Sequence, residues 1–269
     1  MGQALSSSEP LIRFGAFFGV FLALALWEVL APRRPQTVSR QRRWPGNLAL
    51  SVINTLALRV LFPAAAVGAA IFADAQGWGL FQAINAPAAI AIFVSVIALD
   101  LVIYLQHRLF HALPLLWRLH RVHHTDLEFD VTTGVRFHPL EILLSMLIKI
   151  AAVVALGAPA VAVLVFEVLL NATTMFNHAN IALPRPLDRI LRLIVVTPDM
   201  HRVHHSVRRE ETNSNFGFSL PWWDWAFSTY RAQPIDGHER MTIGLEQFRD
   251  TAELQLSWML LQPARCAED

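Results

Sequence analysis

Ten of the eleven histidines fall between residues 107 and 205. They stand as His107-x3-His111, His120-x2-His123-His124, the single residues His138 and His178, and His201-x2-His204-His205. The pentapeptide HRVHH occurs twice, at 120–124 and 201–205. Side chains three and four positions apart share a helical face, with Cβ atoms roughly 5–6 Å apart. His107 can therefore point with His111, His120 with His123 and His124, and His201 with His204 and His205. Imidazole nitrogen binds zinc, iron, copper and nickel, and roughly four to six ligands complete a metal's shell. So many clustered histidines exceed the needs of one ion and point to a pair of metals. His238 stands alone and reads as an ordinary structural histidine.

The elements that must position these residues are membrane helices. Hydrophobic residues make up 54% of the 269-residue chain and charged residues 16%, too apolar for a soluble globule to hide. Runs of about 20 apolar residues, the length that crosses a bilayer core, occur at 11–31, 48–73 and 87–106. Shorter ones at 140–157 and 159–176 flank Gly157-Ala158-Pro159, a break tight enough to force an antiparallel hairpin. The fold class expected is all-α: a polytopic membrane protein of four to five transmembrane helices, including the hairpin 140–176, under a cytoplasmic histidine-rich cap. Arg33, Arg34, Arg40, Arg42 and Arg43 crowd the first loop, whereas residues 74–86 hold no Lys or Arg. The positive-inside rule then puts the first loop, and with it the histidines, in the cytoplasm. Trp44, Trp78 and Trp117 fit an aromatic belt, and residues 187–196 form an amphipathic helix suited either to the interface or to packing on the cap.

Ionisable residues within spans are costly and need a partner or a cavity. Lys149 and Glu167 lie nine residues either side of the turn at Ala158, so the hairpin sets them at matching depth and predicts a structural ion pair. Asp100 shares a helical stripe with Tyr104, His107 and His111. Asp100 and Asp199 are candidates to orient imidazoles from behind, as are Asp126, Glu128, Asp130, Glu141 and Asp224, each of which also suits a surface or helix-capping place. The formal net charge of +1 gives no field to attract nucleic acid. The single cysteine, Cys266, excludes an intrachain disulfide and a thiolate site. The opening MGQALS matches a myristoylation signal formally, as short motifs often do by chance.

In combination, HRLFH, HRVHH, FHPLE, FNHAN and the second HRVHH resemble the fatty acid hydroxylase superfamily, also called the sterol desaturase family. The resemblance runs over roughly residues 90–232, through ETNSNFG and WWDWAFSTY, and suggests a bacterial member. It implies a non-haem di-iron centre, dioxygen as co-substrate, and oxygen insertion or hydrogen removal at an unactivated C–H bond of a lipid. It carries the metal-ligand role to His107, His111, His120, His123, His124, His201, His204 and His205, and to His138 and His178 at the two ends of the hairpin. Some relatives include a cytochrome b5 domain. These residues leave no room for one, so a separate ferredoxin- or cytochrome-type electron donor is expected. The chain divides into N-terminal membrane helices (1–86), a catalytic region (87–232) and a cytoplasmic tail (233–269), in a bacterial inner membrane.

Two other readings compete. A membrane di-zinc lipid hydrolase would need fewer ligands and a carboxylate base beside them, and no HExxH is present. A metal transporter or store would spread its ligands along the spans instead of gathering them at one face.

Overall fold

The computed structural model describes residues 2–265, with side chains from residue 9 onward. Cys266 and the side chains of MGQALS lie outside the described residues. Regular structure is helical: α1 Gly2–Leu30, α2 Arg40–Leu61, α3 Ala65–Ala75, α4 Leu80–Ala83, α5 Ala88–Ala112, α6 Pro114–His124, α7 Pro139–Leu156 and α8 Ala160–Asn177. Shorter helices follow: α9 Arg185–Leu191, α10 Pro198–His204, α11 Arg209–Thr212, α12 Trp222–Ala226, α13 Gly237–Arg240 and α14 Leu256–Leu261. Among the described residues, five segments are long and apolar enough to cross a membrane: Glu9–Leu30, Arg40–Ala83, Ala88–Ala112, Pro139–Leu156 and Ala160–Asn177. Their outward faces carry Leu22, Val60 and Phe93, each more than half exposed, a surface that only lipid would cover.

The second span is not one helix. It begins earlier than its apolar run, at Arg40, and breaks after Leu61. Pro63 explains the break, because it offers no backbone N–H and turns Phe62 away from helical geometry. The early start matters more: the first turns of α2 dip into the cap and bury Arg43, Asn47 and Leu50.

The α7–α8 hairpin closes on Gly157, which takes the left-handed conformation at φ 65° and bonds back to Val153 and Val154. A Cβ there would meet the Gln82 side chain at 1.8 Å and the Trp78 carbonyl at 2.7 Å, so the turn sits hard against the α3–α4 connection. Within the hairpin, Lys149 Nζ donates to Glu167 Oε1 at 2.6 Å. Arg13 of α1 donates to the other carboxylate oxygen at 2.5 Å, a second cation that ties α1 to the hairpin.

The cap is held by buried charge. Arg43 Nε and Nη2 donate to the two Asp126 oxygens at 2.6 and 2.8 Å, and Nη1 donates to Asp130 at 2.5 Å. All three side chains are fully buried. Burial alone would raise the Asp126 carboxyl, but Arg43, and then Arg136, hold it well below the usual carboxylate range. Arg136 spans the same layer, donating to the Val122 carbonyl and to Asn47. An amphipathic stretch at 187–196 shortens to the seven residues of α9, none of them buried. Leu187, Ile190, Leu193 and Ile194 stay exposed beside Trp222, whose indole donates to the Leu193 carbonyl.

Candidate metal centre

Two prolines set up the repeated pentapeptides. Pro114 opens α6 and Pro198 opens α10, each at the first helical position, where its missing N–H costs nothing. Both HRVHH copies consequently fall at helix C-terminal ends. They meet the last turns of α5, which carry His107 and His111, and the C-cap of α8, which is His178.

Nine imidazoles converge in two groups: His107, His111, His120, His124 and His204 in one, His123, His178, His201 and His205 in the other. Within each group the potential ligand atoms lie within 4.8 Å of one another. Three-and-four spacing predicted that each pentapeptide would act as a unit. Instead each is split, and the split is reciprocal. The first copy sends its first and last histidines to the larger group and its middle one to the smaller; the second copy does the reverse. Residues i and i+4 stay together on one helical face, while i+3 falls on the far side of residue i and reaches the neighbouring group.

The hydrogen-bond pattern shows what these nitrogens are free to do. His123 Nδ1–H donates to the Arg136 carbonyl at 3.2 Å and His178 Nδ1–H to the Thr174 carbonyl at 2.8 Å. A carbonyl only accepts, so each Nε2 keeps a lone pair. Those two lone pairs face each other at 3.1 Å, and His178 Nε2 lies 3.2 Å from His205 Nε2. In the larger group, His107 Nδ1–H donates to the Phe216 carbonyl at 2.7 Å, and its Nε2 lies 3.0 Å from that of His120. Lone pairs this close repel unless a cation lies between them. Other nitrogens of the two groups, including His111 Nε2, His204 Nε2 and both of His124 and His201, are buried with no partner among the described residues. Burial pushes His120 and His178 down to about 3, so the rings are neutral, the form that binds metal. The donor set therefore fits two borderline metal ions.

Residues 92–229, half of the chain, match the model of the fatty acid hydroxylase family. The chain belongs to the fatty acid hydroxylase family. Ornithine lipid hydroxylase OlsE of Rhizobium tropici is 31% identical over 149 residues, 55% of this chain and 44% of that protein. Alkylglycerol monooxygenase of Homo sapiens is 28% identical over 161 residues, 58% of this chain and 33% of that protein. The chain thus spans less than half the length of these curated relatives. No solved structure matches it.

Within this fatty acid hydroxylase family member, three expected site residues stand elsewhere. His138 is outside both groups: its Nδ1 accepts from Leu140 N as the N-cap of α7, and its Nε2–H donates to the Leu260 carbonyl. Both nitrogens are spent, which leaves no lone pair for a metal. Asp100 accepts from the Trp223 indole and Leu220 N instead of an imidazole. It pins the strand of loop whose Phe218 packs on His107 at 4.8 Å between ring centroids. Asp199 bonds Arg33 and Arg202, away from either group.

The carboxylate that does touch a ligand-type imidazole is Glu141, buried, with Oε1 2.6 Å from His120 Nδ1. Asp224 works one step further back, accepting from Phe216 N and Gly217 N and so fixing the carbonyl that holds His107. Trp117, expected in an aromatic belt, packs on His111 and His124. Trp44 likewise turns inward and donates to Asp130.

Proposed function

We propose that the protein is a membrane-bound non-haem di-iron oxygenase that hydroxylates, or desaturates, a C–H bond of a lipid such as a fatty acyl, alkyl or sterol group. The observation that carries this reading is the pair of adjacent all-imidazole groups with facing lone pairs, in a chain of this family. Relatives named for ornithine lipid and alkylglycerol chemistry support a lipid substrate. Iron held there would supply activation of dioxygen for attack on an unactivated C–H bond. In hydroxylation one oxygen atom enters the C–H bond and the other leaves as water, consuming two electrons and two protons. In desaturation both oxygen atoms leave as water, carrying two substrate hydrogens. The electrons come from a separate ferredoxin- or cytochrome-type donor.

The chain's own part is to hold, orient and dry the site. Backbone carbonyls of Phe216, Arg136, Thr174 and Ser214 fix the tautomers of His107, His123, His178 and His204. Phe137 stacks on His123 at 4.3 Å, Phe129 covers His178 and Phe218 covers His107, excluding water. Arg33, Arg34 and Arg43 bond to groups of this same cap. The positive-inside rule therefore supports a cytoplasmic face, in a bacterial inner membrane.

The test is to load the protein with iron in lipid vesicles, supply reductant and oxygen, and compare lipid mass spectra with those of His123→Ala. The mass gain of one oxygen atom, or loss of two hydrogens, is expected in the parent protein alone. Full turnover with zinc and no oxidised product with iron would replace this reading by the di-zinc hydrolase.

A further inference from the structure

Each copy of HRVHH carries an arginine, and the two are anchored by different parts of the chain. Arg202, in the second copy, bonds Asp199 and the Ala179 carbonyl and lies over the Phe129 ring. All three partners fall within residues 92–229, the stretch that matches the family. Arg121, in the first copy, reaches outside that stretch. Its Nη2 donates to the carbonyls of Gln262 and Arg265, both at 2.6 Å, and its guanidinium lies over the Phe248 ring at 4.7 Å. Thr125, just after the same pentapeptide, donates to Gln262 Oε1 at 3.2 Å.

Residues 248–265 therefore grip the helix that carries His120, His123 and His124. The same segment touches two further elements. Met259 packs with Leu50 of α2 and Val122 of α6, and the Leu260 carbonyl accepts from His138 at the start of α7. Against α2 there is no slack. A Cβ on Gly46 would meet the Leu254 carbonyl oxygen at 2.3 Å and Met259 Cε at 2.6 Å. Phe248 takes a left-handed backbone at φ 60°, which a bulky residue adopts only where its surroundings hold it. Two guanidiniums do so here, Arg121 and, at 5.4 Å, Arg265. The segment also closes on itself, with Arg265 bonded to Glu253 at 2.5 Å and set over Trp258 at 4.5 Å.

We infer that residues 248–265 form a clasp that positions the larger histidine group, with Arg121 as the positioning residue through which it acts. The contact between His120 and Glu141 joins α6 to α7, and the clasp bonds to both helices. Two of the larger group's five imidazoles ride on α6, against one of the smaller group's four, His123. That one is also held by the Arg136 carbonyl, outside the clasp. Loosening the clasp thus weakens the larger group first. The inference rests on the two groups holding metal, and on nothing about the reaction performed there.

The test uses the full chain in nanodiscs, loaded with cobalt(II) under nitrogen and without turnover. Competitive chelation gives an affinity for each group, with His111→Ala and His123→Ala assigning the two, and the visible spectrum reports ligand geometry. Gly46→Ala suits the α2 helix but displaces the clasp, and Arg121→Met removes its anchor. Each should weaken cobalt in the larger group by about tenfold, the effect of losing a support behind a ligand. The spectrum of that group should shift, the smaller group's affinity should stay nearly unchanged, and hydrogen exchange should quicken at 248–265. Arg121→Lys, which keeps a cation facing the two carbonyls, should recover part of the loss. Should either variant fail to fold, Gln262→Ala removes the bond to Thr125, keeps the backbone carbonyl, and should move the same group by a smaller factor. Equal weakening of both groups would make the segment a prop of the whole fold and overturn the inference. Faster exchange at 248–265 with cobalt binding unchanged would overturn it too. A parent protein that binds no cobalt would sink the two-metal reading, and the inference with it.

Discussion

The two histidine groups are built from the same pentapeptide yet live in different surroundings. The smaller group is wholly buried, and its His123 and His178 are braced by backbone carbonyls. The larger group has one partly buried member, His111, which with Trp117 lines an open cleft of about 960 Å³, and one member, His120, braced by a carboxylate. A carbonyl fixes a ring's tautomer and little else; a carboxylate also raises the basicity of the opposite nitrogen. One group is thus arranged to be reached and tuned, the other to be held. The divergence lies in what packs around the repeat, since both copies read HRVHH.

The strongest way to break this contrast is to remove one imidazole from each group. His111→Ala and His123→Ala should each lower bound metal by one ion per chain, measured by elemental analysis. Activity should fall by about 10²-fold or more, in line with losing a ligand together with its supports. Added imidazole should restore metal to His111→Ala, which opens onto the cleft, and fail with the sealed His123→Ala. Equal rescue of both would show that the groups are equally accessible.

Next in size is the layer beneath both groups. Arg43 is fully buried between Asp126 and Asp130, so Arg43→Met leaves two buried carboxylates without their cation. A loss of about 3–5 kcal/mol in stability is expected. Asp126→Asn in the same background should recover part of it, a coupling read from a double-mutant cycle of denaturant midpoints.

These examples also show where the sequence was readable. Apolar run length placed all five spans and the hairpin, because bilayer thickness fixes how many residues must be apolar. Spacing and repetition found eight of the nine converging histidines, and the ninth, His178, was singled out by its place at the end of the hairpin. What stayed hidden depends on how helices face one another. The reciprocal split of each pentapeptide follows from the mutual orientation of α6 and α10, which no local pattern encodes. Arg43 counted as one more topological charge, since its partners lie 83 and 87 residues away. His138 was legible in retrospect, as a residue just before Pro139 at a helix start is placed to cap it.

Glu141 sharpens the contrast with a smaller effect. Glu141→Gln keeps the shape and removes the charge, and should weaken metal in the larger group about 10- to 100-fold while leaving the smaller group's affinity unchanged. Competitive chelation resolves the two sites. Glu141→Asp, which keeps the charge, should recover part of the loss; a uniform weakening of both sites would mean that the carboxylate only supports the fold.

The smallest effect belongs to a histidine in neither group. His238 is buried, and burial pushes it down to about 3 from the ordinary 6.5, with Asp199 opposing at 3.6 Å. Its folded form is therefore neutral, while the unfolded chain takes up a proton below about 6.5. The unfolded state binds more protons between these two values, so this residue's contribution to stability falls as pH drops through that window. Between about pH 7.5 and about pH 5.5 the loss is on the order of 1 kcal/mol. His238→Gln should flatten the stability–pH curve over that range without altering metal content. The same shift in both proteins would assign the slope to the clustered histidines, and metal loading should then abolish it, because a ligated nitrogen has no lone pair to protonate.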